Sequence, residues 1–158
     1  MKTTLRVAAV TIGLMILVGC SHLFVAGQID QRNPGSIDGV WQTVVTPRNC
    51  NTGDPLGLTF PGILMFNHDG TITGTSTAVT STYGIWHREA GAGQYSFTSL
   101  SLKYNTSGVF VGSRRITQNV TVDENRNRFT SDGGFQDLDA AGTQIASGCS
   151  TSTGSRFQ

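Results

Sequence analysis

The stretch LTFPGILMFNHDGTITGTSTAV, residues 58–79, decides the fold class, because two runs of β-forming residues flank one tight turn. Every second residue from Leu58 to Phe66 is apolar or glycine, which is the alternation of a half-buried strand. The polar turn His68-Asp69-Gly70 follows, with a glycine that can adopt the positive φ of hairpin turns. This stretch therefore predicts a β-hairpin.

The same pattern of strand and turn repeats along the chain from Gly39 onward. Eight strands are predicted, at residues 40–46, 58–67, 71–79, 83–89, 94–104, 109–122, 128–138 and 143–150. Their connections are too short for crossover helices, so neighbouring strands should pair antiparallel in chain order. A meander of eight strands avoids two exposed edges only by closing. The sequence predicts an all-β fold, an eight-stranded antiparallel up-and-down barrel, with no major helix apart from the signal segment.

Two strands depart from regular alternation. In the strand at 94–104, Tyr95 and Phe97 share one phase, whereas Leu100 and the apolar residues after it share the other. This slip predicts a β-bulge or bend near residues 98–99. Pro61 has no N–H for the ladder, so a bulge or bend is also expected there.

Composition and charge exclude several classes of protein. The 158 residues include 20 glycines, only 13% are charged, and the formal net charge is +1. A nucleic-acid-binding protein needs clustered basic residues, and a disordered chain combines low hydrophobicity with high net charge. Abundant Gly, Ser and Thr also disfavour a coiled coil or a helical enzyme. No nucleic-acid partner is expected.

The N-terminus predicts export. Lys2 and Arg6 precede an apolar run at residues 7–18, as in a secretory signal peptide. The run ends in Leu17-Val18-Gly19-Cys20, which resembles the lipobox of bacterial lipoproteins. The resemblance implies cleavage before Cys20, lipidation of its thiol, and attachment to the membrane. Ser21 resembles the sorting position of lipoproteins destined for the outer membrane.

Two alternatives to the lipoprotein signal remain open. Val25-Ala26-Gly27 is a second candidate cleavage site for ordinary secretion, and the segment can also remain as an uncleaved anchor. Under the lipoprotein interpretation, residues 1–19 are the signal peptide, 20–38 a tether and 39–158 the barrel domain. The mature chain then has nine basic and ten acidic residues, so it is slightly acidic.

The cysteine count supports the same interpretation. Three cysteines leave one unpaired in an oxidising compartment, and lipidation of Cys20 removes the odd one. Cys50 and Cys149 are then expected to form a disulfide; two separate buried thiols are the alternative. If these cysteines are directly opposed on the first and last strands, paired residue numbers sum to 199, which places Trp41 opposite Gln158.

The ends of the barrel resemble those of the calycins, the group that includes lipocalins and avidins. Gly39-Val40-Trp41 is similar to their Gly-X-Trp motif, and Arg156 lies where calycins often carry a basic residue. The resemblance implies that Arg156 packs over Trp41 at the closure of the barrel. The segments at residues 46–53, 66–71 and 146–149 resemble an uncharacterised family of exported bacterial proteins. The barrel of allene oxide cyclases and dirigent proteins is a second fold neighbour.

Residues capable of catalysis are sparse, and no catalytic residue, metal site or cofactor is predicted. Only three histidines occur: His22 in the tether, His68 in a turn, and His87, which can face the lumen. A single histidine makes neither a metal site nor a triad. The acidic pairs at 123–124 and 137/139 are interpreted as turn carboxylates.

The candidate ligand-binding residues are five aromatics and one arginine. In a regular strand one of Arg114 and Arg115 should point inward, and the shared phase of Ile116 selects Arg114, but a bulge that sends both arginines outward is the favoured interpretation. An inward arginine needs a carboxylate partner or an anionic ligand. The full set of candidates is Phe60, Phe66, Trp86, Tyr95, Phe97 and Arg114.

Three functional hypotheses follow. The first is a monomeric, lipid-anchored barrel of the bacterial cell envelope that binds a small, largely apolar ligand and is not an enzyme. A lumen without a cavity near the ~300 Å³ of a typical pocket would argue against it. The second is an envelope interaction or inhibitor protein that uses its rim loops, chiefly residues 47–57. The third is an enzyme resembling the cyclase barrels.

Overall fold

The computed structural model describes residues 36–157, which form a closed barrel of eight antiparallel strands in chain order. The predicted fold class is confirmed. The strands are β1 Gly39–Arg48, β2 Phe60–Phe66, β3 Thr71–Ser76, β4 Val79–Arg88, β5 Gln94–Tyr104, β6 Phe110–Val122, β7 Arg128–Asp139 and β8 Gln144–Arg156. The signal peptide, Cys20 and the first sixteen residues of the predicted tether lie outside the described residues.

The hairpin at β2 and β3 forms as the sequence predicts. Gly70 has a φ of 85°, and the Asp69 carboxylate accepts hydrogen bonds from the backbone N–H and hydroxyl of Thr71. These bonds hold the pKa of Asp69 below its usual range. Pairing is regular through Pro61, so the expected bulge there is wrong. The Pro61 carbonyl accepts a hydrogen bond from the N–H of Thr77, just beyond the end of β3, so the missing N–H of Pro61 lies at the end of the ladder.

Strand boundaries near the third turn differ from the prediction. The hydroxyl of Ser76 accepts hydrogen bonds from the N–H groups of Ala78 and Val79, which builds a turn at residues 77–78. Strand β4 therefore begins at Val79, four residues before the predicted start. This turn lacks Gly, Pro, Asn and Asp, the residues that usually mark a turn in a sequence.

The expected bulge in β5 is also wrong. Its pairing is regular across residues 98–99, so the strand keeps one phase, and Ser99 and Ser101 continue the inward face of Tyr95 and Phe97. The outward side chains include Leu100, which is exposed. Apolar residues therefore point to solvent here, while serines point into the lumen.

Closure between β1 and β8 has a different register from the one expected. Trp41 pairs with Arg156, and Arg48 pairs with Cys149, two residues away from the predicted pairing. The disulfide Cys50–Cys149 does form, with Cα atoms 5.2 Å apart, but Cys50 lies in the turn beyond the end of β1. The predicted register failed because it treated a turn cysteine as a ladder residue.

The two ends of the barrel differ. Connections β1–β2, β3–β4, β5–β6 and β7–β8 lie at one end, which we call the open end; the other three lie at the sealed end. The sealed end contains the apolar core, in which Trp41 contacts Phe129 with ring centroids 5.0 Å apart. Ile37, predicted to be in the tether, is fully buried, and its carbonyl accepts a hydrogen bond from Trp41 Nε1 at 2.8 Å.

No helix within residues 36–157 is long and apolar enough to cross a membrane. No group of histidine, cysteine and acidic side chains in this part of the chain is arranged to hold a metal ion.

Candidate functional site

The barrel has a lumen cavity of about 100 Å³ that lies above the sealed core and extends to the open end. Phe97 belongs both to the core and to the cavity lining, so it forms the boundary between them. Ala78, in the exposed β3–β4 turn, lines the outer part. The cavity is about a third of the ~300 Å³ at which typical ligand pockets begin, so by the criterion stated for the first hypothesis it counts against a ligand of ordinary size. It therefore suits only a molecule of a few heavy atoms, or the end of a longer chain.

Part of the cavity wall is apolar. It includes Leu64 and Phe60 of β2, Ile116 of β6 and Phe135 of β7. These side chains occupy the inward positions of their strands because inward and outward residues alternate. An apolar group placed here leaves water and contacts carbon on several sides.

The predicted ligand-binding residues fall into two groups. Phe60, Phe97 and Arg114 line the cavity. Phe66, Trp86 and Tyr95 instead belong to the sealed core, where Phe66 contacts Phe97 with ring centroids 5.9 Å apart. Trp86 contacts Tyr95 at 5.7 Å in the same edge-to-face manner. Their position makes them packing residues below the cavity; a role in ligand binding stays a prediction for all six.

Arg114 points into the lumen and Arg115 is exposed, because the ladder runs without a bulge through both residues, so the interpretation that both point outward is wrong. In the lumen Arg114 forms a bidentate ion pair. Its Nε and Nη2 atoms each donate a hydrogen bond of 2.8 Å to one carboxylate oxygen of Asp137. Lys103 Nζ lies 3.4 Å from the same carboxylate, and the guanidinium covers the ring of Phe135 at 4.3 Å. The hydrogen bond from Arg114 holds the pKa of Asp137 below its usual range, although burial opposes this.

Asp137 corrects the interpretation of residues 137 and 139 as turn carboxylates. Only Asp139 lies at the turn, where it accepts hydrogen bonds from the N–H groups of Ala141 and Thr143. Asp137 occupies an inward position of β7 directly beside Arg114. The signal available in the sequence was phase, because Asp137 lies two residues from Phe135 and eight from Phe129.

The two histidines within residues 36–157 do not contribute to the lumen. His87 is exposed and shares the outward phase of Tyr83 and Ile85 on β4, so the possibility that it faces the lumen is wrong. His68 is a solvated turn residue whose Nδ1 lies 2.8 Å from an oxygen of Asp38. Neither imidazole lies where a molecule in the cavity would meet it.

The wall of β6, β7 and β8 is polar for a barrel interior. It carries a chain of hydrogen bonds in which Gln118 donates to Ser150 at 3.0 Å and accepts from Ser131 at 2.9 Å. Ser131 and Ser152 extend it with a hydrogen bond of 2.5 Å. The sequence prediction missed these residues, because serine was assigned to turns and outer faces.

At the sealed end, Arg156 covers Trp41 with its guanidinium 4.4 Å from the ring. Its side chain donates hydrogen bonds to the carbonyls of Arg126, Asp38 and Ser36. Gly39 has a φ of 122°, and a Cβ there would lie 2.7 Å from an Arg156 nitrogen. The positive φ therefore favours glycine at this position of the Gly-X-Trp motif, and a Cβ there would also displace the end of the Arg156 side chain.

Comparisons with known proteins assign no function to this site. No protein-family model matches this chain, and no curated protein or solved structure does either.

Proposed function

We propose that this protein is a calycin-like binding protein of the bacterial cell envelope, whose lumen holds a small, largely apolar molecule. The observation that carries the proposal is the cavity of about 100 Å³ between Phe97 and the open end. A barrel core with no binding role would be expected to fill this volume with side chains, because protein interiors leave few voids larger than water.

The size of the cavity limits the ligand. An engineered apolar cavity of roughly 150 Å³ accepts benzene, so a volume near 100 Å³ corresponds to a short alkyl chain or a small ring. Leu64 and Ile116 would contact its carbon atoms, and the mouth beside Arg114 would leave room for a larger group outside.

A lumen-filling variant tests the proposal. Ile116→Phe on β6 adds carbon to the cavity, whereas Thr117→Phe, the matched control, adds the same ring to the exposed outer face. Each protein is purified from bacterial envelopes, and its solvent extract is examined for a co-purifying small molecule by mass spectrometry. We expect the molecule with the natural chain and the Thr117 variant, and its loss with Ile116→Phe. Equal recovery from both variants contradicts binding in the lumen.

The envelope location is a separate part of the proposal. The disulfide between Cys50 and Cys149 supports a non-reducing compartment, since such bonds are rare where thiols are kept reduced. Lipidation of Cys20 would attach the barrel to the membrane. Intact-mass measurement of the membrane fraction should give a chain that begins at Cys20 and carries lipid. A chain that begins at Gln28 would instead show ordinary secretion.

The calycin relationship is supported by three residues and by strand order. Gly39, Trp41 and Arg156 meet at the first and last strands of a closed eight-stranded meander. We infer common ancestry with the calycins from this arrangement. Sequences intermediate between this chain and lipocalins should keep all three residues; intermediates that keep the barrel but place other residues there would contradict the relationship.

A second function is favoured by the β1–β2 loop, residues 49–59. The side chains of Leu56 and Leu58 are 58% and 60% exposed. Hydrogen bonds within the loop hold its backbone. Backbone bonds link Asn49 to residues 53 and 54, and Arg48 donates to the carbonyl of Gly53. Exposed leucines on a rigid loop suit an interaction or inhibitor protein that docks on an envelope protein, since little loop entropy is lost on binding.

The double variant Leu56→Ser with Leu58→Ser tests this second function. Pull-down from solubilised envelopes should recover a stoichiometric protein partner with the natural chain and lose it with the variant. Leu100→Ser, which changes an exposed leucine on the barrel wall, is the matched control and should keep the partner. A partner retained by the double variant would exclude the loop as the docking element.

A further inference from the structure

Three hydroxyl groups in the lumen have no hydrogen-bond partner within residues 36–157. They belong to Thr82 on β4 and to Ser99 and Ser101 on β5. These residues are only 3%, 2% and 2% exposed. Buried hydroxyls in native proteins are nearly always paired, because leaving one unpaired is costly. Three on two neighbouring strands therefore indicate a polar group that the lumen is built to receive.

The unpaired hydroxyls occupy one wall. Gly84 pairs with Ser99 and Tyr83 pairs with Leu100, so the same register places Thr82 beside Ser101. Ser99 lies two residues from Ser101 and therefore on the same inward face. Thr82 and Ser99 line the cavity directly, whereas Ser101 lies next to Arg114 on β6.

The facing wall provides an internal comparison. Ser131, Ser150 and Ser152 are as deeply buried, yet each has a partner in the network around Gln118. The fold can therefore satisfy buried serine hydroxyls by itself. It does so on the wall of β6, β7 and β8 and not on the wall of β4 and β5. A ligand oxygen is the partner that accounts for this difference.

The charged side chains at the mouth of the cavity indicate whether the ligand is anionic or neutral. Both oxygens of Asp137 already accept hydrogen bonds from Arg114, and Lys103 lies against the same carboxylate. Arg114 is thus occupied by a fixed partner. A carboxylate bound to the hydroxyls of Thr82 and Ser99 would find only cations that already contact Asp137, and burial of an unpaired charge is far more costly than burial of a carbonyl or hydroxyl.

We propose that the lumen ligand is a neutral compound with a small apolar body and one carbonyl or hydroxyl oxygen, which binds the hydroxyls of Thr82 and Ser99. The inference rests on the proposed binding function and names the chemical class of its ligand. The oxygen lies against β4 and β5, and the apolar body lies against Leu64 and Ile116. Alcohols and ketones of a few carbon atoms fit this description.

The test compares three probes by NMR titration of the disulfide-bonded protein. Cyclopentanone carries the oxygen, cyclopentane lacks it, and cyclobutanecarboxylate carries a charge in its place. Ser99→Ala and Thr82→Val each remove one hydroxyl with little change of shape. Ser131→Ala is the matched control, because it removes a buried hydroxyl that is paired on the other wall and does not line the cavity.

We expect Ser99→Ala and Thr82→Val each to weaken cyclopentanone binding about 3- to 10-fold, and to leave cyclopentane affinity unchanged or higher. The control should change neither affinity. Both lumen variants should also raise the unfolding temperature of the ligand-free protein, because each removes an unpaired hydroxyl. A packing role alone would not combine higher stability with selectively weaker ketone binding.

The possible failures are distinguishable. Equal effects of the variants on cyclopentanone and cyclopentane would overturn recognition by the hydroxyls, while lumen binding would stand. Tighter binding of cyclobutanecarboxylate than of cyclopentanone would overturn the neutral ligand. If no probe shifts the signals of Leu64 or Ile116, the proposed binding function itself fails.

Discussion

The barrel uses an arginine stacked on an aromatic ring at both ends, but it partners the two arginines differently. At the sealed end Arg156 covers Trp41 and donates to three backbone carbonyls. At the open end Arg114 covers Phe135 and binds the carboxylate of Asp137. Carbonyls do not titrate, whereas a carboxylate does. The contacts of Arg156 at the sealed end therefore do not depend on the pH. The ion pair of Arg114 at the open end does, and it lies at the mouth of the cavity.

The largest expected difference between the ends lies in their aromatic residues. Trp41→Ala should lower the free energy of unfolding by about 3–5 kcal/mol, because it empties a fully buried site between Phe129 and the Arg156 stack. Phe135→Ala, at the half-buried rim, should cost about 1–2 kcal/mol. Urea denaturation of both variants measures the difference. Equal losses would contradict a core concentrated at the sealed end.

Substitution of the two arginines should give the next largest difference in the free energy of unfolding between the ends. Arg156→Met should cost about 2–3 kcal/mol, since it removes charged hydrogen bonds that tie residues 36–38 to the barrel. Arg114→Met should cost about 1–2 kcal/mol, because Lys103 still faces Asp137. Thermal unfolding with the disulfide intact compares them. A greater loss from the Arg114 change would reverse the assignment of the structural closure to the sealed end.

The sequence predicts much of the sealed end and less of the lumen near the open end, for different physical reasons. Gly39, Trp41 and Arg156 form a recognisable motif, and the turn around Gly70 is marked by residues that favour turns. At the open end the turns at Gly108 and Gly142 are marked in the same way, but the side chains that face the lumen there form no recognisable motif. In β5, Leu100 faces out while Ser99 faces in, so hydrophobic patterning assigned the wrong phase. Asp137 was missed because its partner lies on another strand.

Low pH should weaken the contact of Arg114 with Asp137 but not the contacts of Arg156 with backbone carbonyls. Asp137 has a lowered pKa in the folded state, chiefly through its hydrogen bond from Arg114, so its ionisation stabilises the fold above the ordinary aspartate pKa of about 3.9. That stability is lost as the pH falls through the lower, folded pKa. We expect the stability advantage of the natural chain over Asp137→Asn to shrink below about pH 4.

Urea midpoints measured from neutral to acidic pH test this expectation. Arg114→Met supplies the control background, in which Asp137→Asn should show a much smaller pH dependence. An advantage of the natural chain that grows as the pH falls would have the wrong sign for an ion-paired carboxylate.

The smallest expected effect concerns the outer wall. Leu100→Thr should change the free energy of unfolding by no more than about 0.5 kcal/mol, because the leucine is exposed on the outer face of β5. Phe97→Ala, three residues earlier on the inward face, should cost about 3 kcal/mol or more. Calorimetric unfolding of the two variants tests which side chains of β5 face the interior of the barrel. A large loss from Leu100→Thr would place that leucine in the interior.

Xenon binding in crystals of the described domain tests most directly whether the lumen is an accessible, apolar-lined chamber above a packed core. Xenon enters apolar cavities without requiring hydrogen bonds. We predict one lumen site in contact with Leu64, Phe97 and Ile116, and none between Trp41 and Phe129. A lumen that takes up no xenon, or a site within the sealed core, would contradict the account.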